Sequence, residues 1–307
     1  MEPAPSVAVV VLDWNGGEET LACLEAVRAS VGTSPRIVLV DNASIRPVLA
    51  EVADRFPEIE VVRNDRNLGY AGGNNVGLRL ALEGGASFVL VLNNDAEVRP
   101  DALREFVAAA SQDENIGAVG ARILRHDEPA RLWMAWGEVT YRQSLVRLVG
   151  QGAPDGPPYE DQRDVPWVSG CAVLFTRAGL ERVGLFDEDY FAYHEEVDWC
   201  ARARESGLRV VFAPQAVVTH RGEGSSGGGR YVSRKQYLAA RNMVRFVRRH
   251  GSVAEKLKFW SLLVATLPLQ FLRRCLTGEQ RGVLLKMRGV KDALLDRPIP
   301  RGDLGLD

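Results

Sequence analysis

The sequence lacks any apolar run long enough to cross a bilayer. Its strongest candidate, Phe259 to Leu272, stops short of the roughly 20 residues a span requires and is interrupted by Pro268. No basic stretch precedes the first apolar run, Val7 to Leu12, so that run reads as a strand rather than a signal peptide, and the chain is expected in the cytoplasm. Cysteine is scarce. Cys23, Cys171, Cys200 and Cys275 lie far apart with no C-x-x-C pair, which argues against a disulfide framework and a zinc site and leaves four expected core thiols. Two phosphate-binding signatures are missing as well. No G-x-G-x-x-G follows the first strand, which argues against a dinucleotide-dependent dehydrogenase, and Asp13 to Val27 holds no Lys or Arg, which argues against the basic triphosphate loop of a nucleotidyltransferase. There is no internal repeat.

What is present is a globular composition: 307 residues, 46% hydrophobic and 25% charged, enough for one large domain or one domain with an appendage. The net charge of -2 hides an asymmetry. Residues 230–307 carry 17 Lys+Arg against 6 Asp+Glu, leaving 21 against 34 for residues 1–229. Such a tail suits an anionic partner, here a membrane surface or lipid phosphate rather than nucleic acid, unless its charges form a solvated face. The apolar run from Phe259, flanked by Lys256, Lys258, Arg273 and Arg274, is expected to lie on a membrane or on a partner such as a second copy of the chain, or to pack on the body.

Apolar runs at Val7–Leu12, Ile37–Val40, Ile59–Val62 and Phe88–Leu92 alternate with helical patterns, a β-α-β-α-β-α-β order that predicts a mostly parallel α/β sheet flanked by helices. Asp13, Asp41 and Asp95 each follow an apolar run closely, where open α/β sheets collect ligand-binding groups. Later strands are expected at Ile116–Ala121, Ala172–Thr176 and Arg209–Phe212, with helices at Asp101–Ser111 and Glu195–Glu205. Residues 122–166 are hard to read, and Gln151–Pro158 has the Gly/Pro/Asp content of a surface loop. Gly222–Gly229 reads as a flexible run, and Ser233–His250 and Val253–Leu276 as basic helices.

The stretch from Asn64 to Glu97 organises the chain. Its loop contains Asn67, Gly69, Gly72 and Asn74, residue types that allow backbone amides close to a phosphate or sugar. It ends in Asn93-Asn94-Asp95, one carboxylate with two amides. That set suits a hard divalent cation shared with phosphate oxygens, with His220 as a further candidate ligand. Asp41 can accept hydrogen bonds from a pyrimidine or ribose, or can cap its own turn, and the Asp13-Trp14-Asn15 turn can cover a base. Together these point to a nucleotide-sugar site. Glu195, Glu196 and Asp198 form the densest acidic cluster; any one could be a catalytic base, and spacing alone does not choose among them. Trp133, Trp136 and Trp167 could stack on sugar faces or fill the core.

The sequence resembles glycosyltransferase family 2, especially rhamnosyltransferase-like bacterial members with the A-type nucleotide-sugar fold. The likeness rests on V-V-V-L-D-W-N-G-G (Val9 to Gly17), V-D-N-A-S (Val40 to Ser44), N-L-G-Y-A-G-G-N-N-V-G (Asn67 to Gly77) and L-N-N-D (Leu92 to Asp95). It continues through W-V-S-G-C-A-V-L (Trp167 to Leu174), the segment Gly184 to Arg202, and P-x-A-x-V-x-H ending at His220. It implies an inverting transferase using Mg²⁺ or Mn²⁺. Asp41 would sit on the nucleotide, Asp95 would be the metal-binding acid of a degenerate D-x-D, and His220 would lie near the diphosphate or metal. The resemblance also selects Glu196 as the base, at a position where the family usually has aspartate. It leans towards dTDP-L-rhamnose as donor and a cell-surface or lipid-linked glycan as acceptor, and towards a catalytic domain over residues 1–230. The donor half of that domain would be about 1–121 and the acceptor half about 122–230. Residues 231–307 would be a basic helical extension, with the enzyme cytoplasmic or peripheral on the inner face of the plasma membrane.

Overall fold

A computed structural model describes residues 6–142, 144–222 and 234–306. The chain opens with β1 (Val7–Asp13), α1 (Glu18–Arg28), β2 (Arg36–Asp41), α2 (Leu49–Arg55), β3 (Glu60–Arg63), α3 (Gly69–Glu83) and β4 (Phe88–Asn93). These four strands pair in parallel in the order β4-β1-β2-β3, which aligns Leu12 with Asn93 and Asp13 with Asp41. The carboxyl ends of three strands therefore meet at one edge.

The middle of the chain adds β5 (Ala96–Val98), α4 (Ala102–Ala110), β6 (Ile116–Arg125), β7 (Leu132–Met134), β8 (Trp136–Val139), β9 (Val146–Val149), β10 (Arg163–Asp164), β11 (Ala172–Thr176), α5 (Arg177–Val183), α6 (Glu195–Glu205) and β12 (Arg209–His220). The main path of this ten-stranded sheet is β10-β12-β6-β11-β4-β1-β2-β3, with β5 paired to β12 and β7 to β6, and β11 runs antiparallel between β4 and β6. The segment that resists reading from sequence holds strands of only two to four residues, including the β8–β9 hairpin, too short to show a period. β12 is longer than expected. It continues past Phe212 to His220 through an irregularity between Ala213 and Val217, where Pro214 has no N–H to offer the ladder.

Alternation along the strands divides the core into two layers. Val10, Val38 and Val91 face α3 with its Leu78 and Ala81, whereas Val9, Leu39 and Leu90 face Leu24 of α1 and Phe106 of α4. Each fully buried side chain of this kind contributes about 1.5–3 kcal/mol. Helix α3 can lie close to β1 because residue 77 is glycine: a Cβ there would stand 2.3 Å from Val10 Cγ1.

The tail forms α7 (Lys235–His250), α8 (Val253–Leu276), α9 (Gln280–Leu294) and α10 (Arg301–Leu304). Val244, Phe246 and Val247 of α7, Phe259 and Leu263 of α8 and Ala293 of α9 join the same core layer as Val10 and Phe212. Helix α8 starts at a capping box between Ser252 and Glu255 and buries only Phe259 and Leu263. Its outer side exposes Leu257, Val264 (71 %), Leu269, Leu272 and Leu276 (88 %). No described helix is long and apolar enough to cross a membrane. Cys275 is exposed, unlike the three other thiols, because it falls on that outer side. The expected run from residue 223 to Gly229, the expected helix start at Ser233 and the expected boundary at residues 230/231 lie outside the described residues.

Candidate active site

A cavity of about 780 Å³ opens at the carboxyl edge of the sheet. Its lining includes Trp14, Asn67 and Gly69 from the first half of the chain, Asn94 and Asp95 after β4, and Glu195, Glu196 and His220 from the second half. Residues of the helical tail, among them Arg234, Lys235, Met243, Gln270 and Lys286, complete the wall.

Two elements bring Asp95 to His220. Strand β5 turns back antiparallel to β12 with Ala96 opposite His220, so the residue before Ala96 meets the imidazole. His220 Nε2 lies 3.1 Å from Asp95 Oδ1, and both side chains are buried. Burial opposes a proton on His220, but Cys171 and the Asp95 carboxylate outweigh it and hold its pKa up to about 10. Trp133 meets the ring edge-on at 4.5 Å. No cluster of three or more His, Cys, Asp or Glu that could hold a metal exists among the described residues. One carboxylate and one imidazole fit a Mg²⁺ or Mn²⁺ site whose remaining ligands are phosphate oxygens and water. Binding there requires His220 neutral, so a cation and the His220 proton compete.

Glu195 and Glu196 begin α6, and both point a buried carboxyl oxygen, Oε2, that has no hydrogen-bond partner. Burial pushes Glu196 up to about 7. Burial and the neighbouring Glu196 charge also hold Glu195 well above the ordinary carboxylate range. Asp198 points elsewhere. It is buried 2.8 Å from both Arg202 and His250 and 3.3 Å from Arg249, and these cations outweigh burial and keep its pKa low. The structure thus separates Asp198 from the two glutamates that spacing alone leaves equivalent.

The loop ahead of α6 is clamped from two sides. Asn75 of α3 donates to the Phe186 carbonyl and accepts from the Phe186 N–H, while Asn242 of α7 donates to the carbonyls of Tyr190, Ala192 and Tyr193, each at 2.8 Å. Gly69, at φ +75°, lies where a Cβ would stand 2.4 Å from the Phe191 carbonyl oxygen. Asn75 and Asn242 are positioning residues that sequence reading overlooked. Their amide side chains beside apolar helix positions were the available signal.

The other sequence-predicted residues divide. Asn67 lines the cavity, but its side-chain oxygen already accepts from Asn42 and from the Gly69 N–H. Asn94 also lines it while donating to Asp13 and Thr20. Asp13 is fully buried and accepts from Gly16 N–H and Thr20, so it holds the first turn in shape. Asn15 bridges to the next loop through the Ile45 N–H and does not line the cavity. Asp41 is fully buried: one oxygen accepts from the Ser44 N–H, and the other lies 3.3 Å from Arg63 with no hydrogen bond. Gly72 and Asn74 are buried within α3, away from the cavity lining, and Asn74 donates to the Tyr70 carbonyl. Glu97 pairs with Arg221 and His126 outside the cavity. Trp133 and Trp167 line the cavity; Trp136 packs on Phe212 and Tyr159 instead.

The sequence pattern described as glycosyltransferase-like family 2 matches residues 3–249. The chain belongs to that family. It is a glycosyltransferase of the A-type fold. It is 26% identical over 236 residues, 71% of this chain and 77% of the relative, to an N-acetylglucosaminyl-diphospho-decaprenol L-rhamnosyltransferase of Mycobacterium tuberculosis. It is 21% identical over 188 residues, 60% of this chain and 59% of the relative, to the dTDP-rhamnosyl transferase RfbF of Shigella flexneri. Among solved structures, the mannosyltransferase PcManGT from Pyrobaculum calidifontis in complex with GDP-Man and Mn²⁺ aligns with a TM-score of 0.60 at 17% identity. That alignment covers 96% of this chain and 90% of the other. The likeness is one of fold.

Proposed function

We propose that this glycosyltransferase is inverting and metal-dependent, and that it moves L-rhamnose from dTDP-L-rhamnose to a hydroxyl of a cell-surface or lipid-linked glycan. The observation that carries the reading is the joint presence in one cavity of the Asp95–His220 pair and of Glu196, whose pKa of about 7 suits a general base at neutral pH. The names of the two rhamnosyltransferase relatives support the donor sugar.

In this reading Glu196 takes the proton from the acceptor hydroxyl, which then attacks the anomeric carbon on the face opposite the nucleotide. Burial disfavours a second negative charge on Glu195 beside the base. Asp41 and the first turn receive the nucleoside, with Trp14 backed by Arg234 at 4.7 Å. Asp95 and His220 hold a divalent cation, which when bound neutralises charge developing on the leaving diphosphate. Residues 1–121 serve the donor and 122–230 the acceptor. The outer side of α8, apolar and flanked by Lys256, Lys258 and Arg273, rests on an anionic inner membrane surface.

The test is transfer from dTDP-rhamnose with Mn²⁺ and after chelation, using wild type and Glu196→Gln. Chelation and the substitution should each reduce turnover by about 10²-fold or more, while Glu196→Gln still binds the donor. Full turnover by Glu196→Gln, or turnover indifferent to chelation, would overturn the mechanism.

A further inference from the structure

Lys286 is out of keeping with its surroundings. It projects from α9 into the wall of the cavity that Gln270 of α8 and Leu238, Ala239 and Met243 of α7 also line, and it is 8 % exposed. Among the described residues no carboxylate pairs with it; its ammonium makes one long hydrogen bond, 3.5 Å to Gln270 Oε1. Among the same residues, buried Arg241 also lacks an ion pair but donates to the Asp189 carbonyl at 2.7 Å, and other tail cations meet carboxylates. Arg245 and Arg249 meet Asp187, and Arg248 meets Asp296. A buried ammonium with no counter-charge is destabilising, and burial accordingly pushes its pKa down. A methionine would fill the same space at no such cost, so packing does not explain a lysine here.

We infer that Lys286, oriented by Gln270, forms a phosphate-binding subsite for the acceptor. This rests on the transferase reading, which supplies an acceptor to be held. Lysine suits phosphate as a compact point charge. The donor's own diphosphate is the other source of the same chemistry, but its charge would be met at the strand ends by the divalent cation proposed for Asp95 and His220. Gln270 instead sits on α8 between Leu269 and Leu272, which are 66 % and 64 % exposed. A phosphate held between Lys286 and Gln270 can therefore be continued by an apolar chain along the outer side of α8. The acceptor so described is an amphiphile: a phosphate-linked lipid carrying the hydroxyl that Glu196 activates.

Isothermal titration of the full-length protein with farnesyl monophosphate in EDTA, and separately with dTDP plus Mn²⁺, tests this. Wild type should bind farnesyl monophosphate more tightly than either farnesol or inorganic phosphate. Lys286→Met should weaken that binding at least tenfold and change dTDP affinity by less than twofold. Gln270→Leu should weaken farnesyl monophosphate two- to fivefold, which keeps the question open to test if the first variant folds poorly. The melting temperature of Lys286→Met should equal or exceed that of wild type, because an unpaired buried charge has gone. Equal binding of farnesyl monophosphate by wild type and Lys286→Met, or a loss confined to dTDP, would overturn the subsite. Because these titrations use no donor sugar, wild type that turns over dTDP-rhamnose yet ignores farnesyl monophosphate would refute the subsite alone.

Discussion

With Glu196 as the proposed base, its ionisation should set the pH range in which this transferase works. Burial raises its pKa from the ordinary 4.5 to about 7, a penalty on the charged form of about 3 kcal/mol. A base must be deprotonated, so kcat/KM should rise about tenfold between pH 6 and 8, with a midpoint near 7 and a plateau above it. Glu195 tunes that midpoint, since its adjacent carboxyl lowers the Glu196 pKa while its own is raised by burial and by Glu196. Glu195→Ala should therefore move the midpoint upward, whereas Glu195→Gln, which keeps a donor, should leave it nearly in place. The assay is the initial rate of dTDP release at constant ionic strength from pH 5 to 9. Stability gives an independent reading. A glutamate with a raised folded pKa favours the fold fully below 4.5, and that contribution is lost as pH rises through about 7. Glu196→Gln should then melt higher than wild type at pH 8 and alongside it at pH 4. A wild-type midpoint near 4.5, or a downward shift in Glu195→Ala, would refute the reasoning.

Asp198 joins α6 to α7 through Arg202, Arg249 and His250, and Asp198→Ala leaves those charges uncompensated, so it should cost about 3–5 kcal/mol in urea unfolding. The same junction has a pH signature. Asp198's share is present above the ordinary carboxylate range and lost as pH falls through its lowered value, while His250, held up by Asp198 and Glu205 against burial, loses its share as pH rises through its raised value. If α8 rests on a membrane as proposed, wild type should co-sediment with phosphatidylglycerol vesicles, and the triple substitution Leu257→Ser, Val264→Ser and Leu272→Ser should abolish this and leave the melting temperature unchanged. Unaltered co-sedimentation would show that α8 does not mediate it.

Much of the fold was legible because its first half is built from long, strongly periodic elements. The runs at Val7, Ile37 and Phe88 are buried on both faces, and parallel strands of that kind betray themselves as unbroken apolar stretches, while the run at Ile59 leads into the half-exposed edge strand β3. Short strands such as Leu132–Met134 have no such signature, and β12 could not be followed past Pro214 because its pairing with β6 compensates for the break locally. The glycines and asparagines of Asn67 to Gly77 were legible as special, yet their special role is divided. Gly77 serves the close approach of α3 to β1 and Asn75 holds the loop before α6, while Asn67 and Gly69 reach the cavity. Local composition signals close approach without saying to what.

Charge was the least legible feature, because a count along the chain cannot say where a cation points. The tail's excess of positive charge first suggests an external anion. Much of α7's share is matched within the chain: Arg245 and Arg249 meet Asp187, and Arg249 and His250 meet Asp198, all in the acidic segment that leads into or lies within α6. The basic tail and acidic body are thus complementary halves of one interface, and that interface fixes the Glu195–Glu196 pair in the cavity. Arg245 and Arg249 lie on the α7 turns next to Asn242, which holds the same loop by its carbonyls, so electrostatics and hydrogen bonds act on one segment from one helix. Other tail cations meet neutral partners: Arg234 and Lys235 lie over the rings of Trp14 and Tyr193, and Arg241 and Arg301 donate to the carbonyls of Asp189 and Asn67. Arg241 is buried as well but is met by the carbonyls of Asp189 and Arg297, whereas Lys286 has, among the described residues, only the 3.5 Å contact to Gln270, and that difference is why the proposed ligand charge is placed at Lys286.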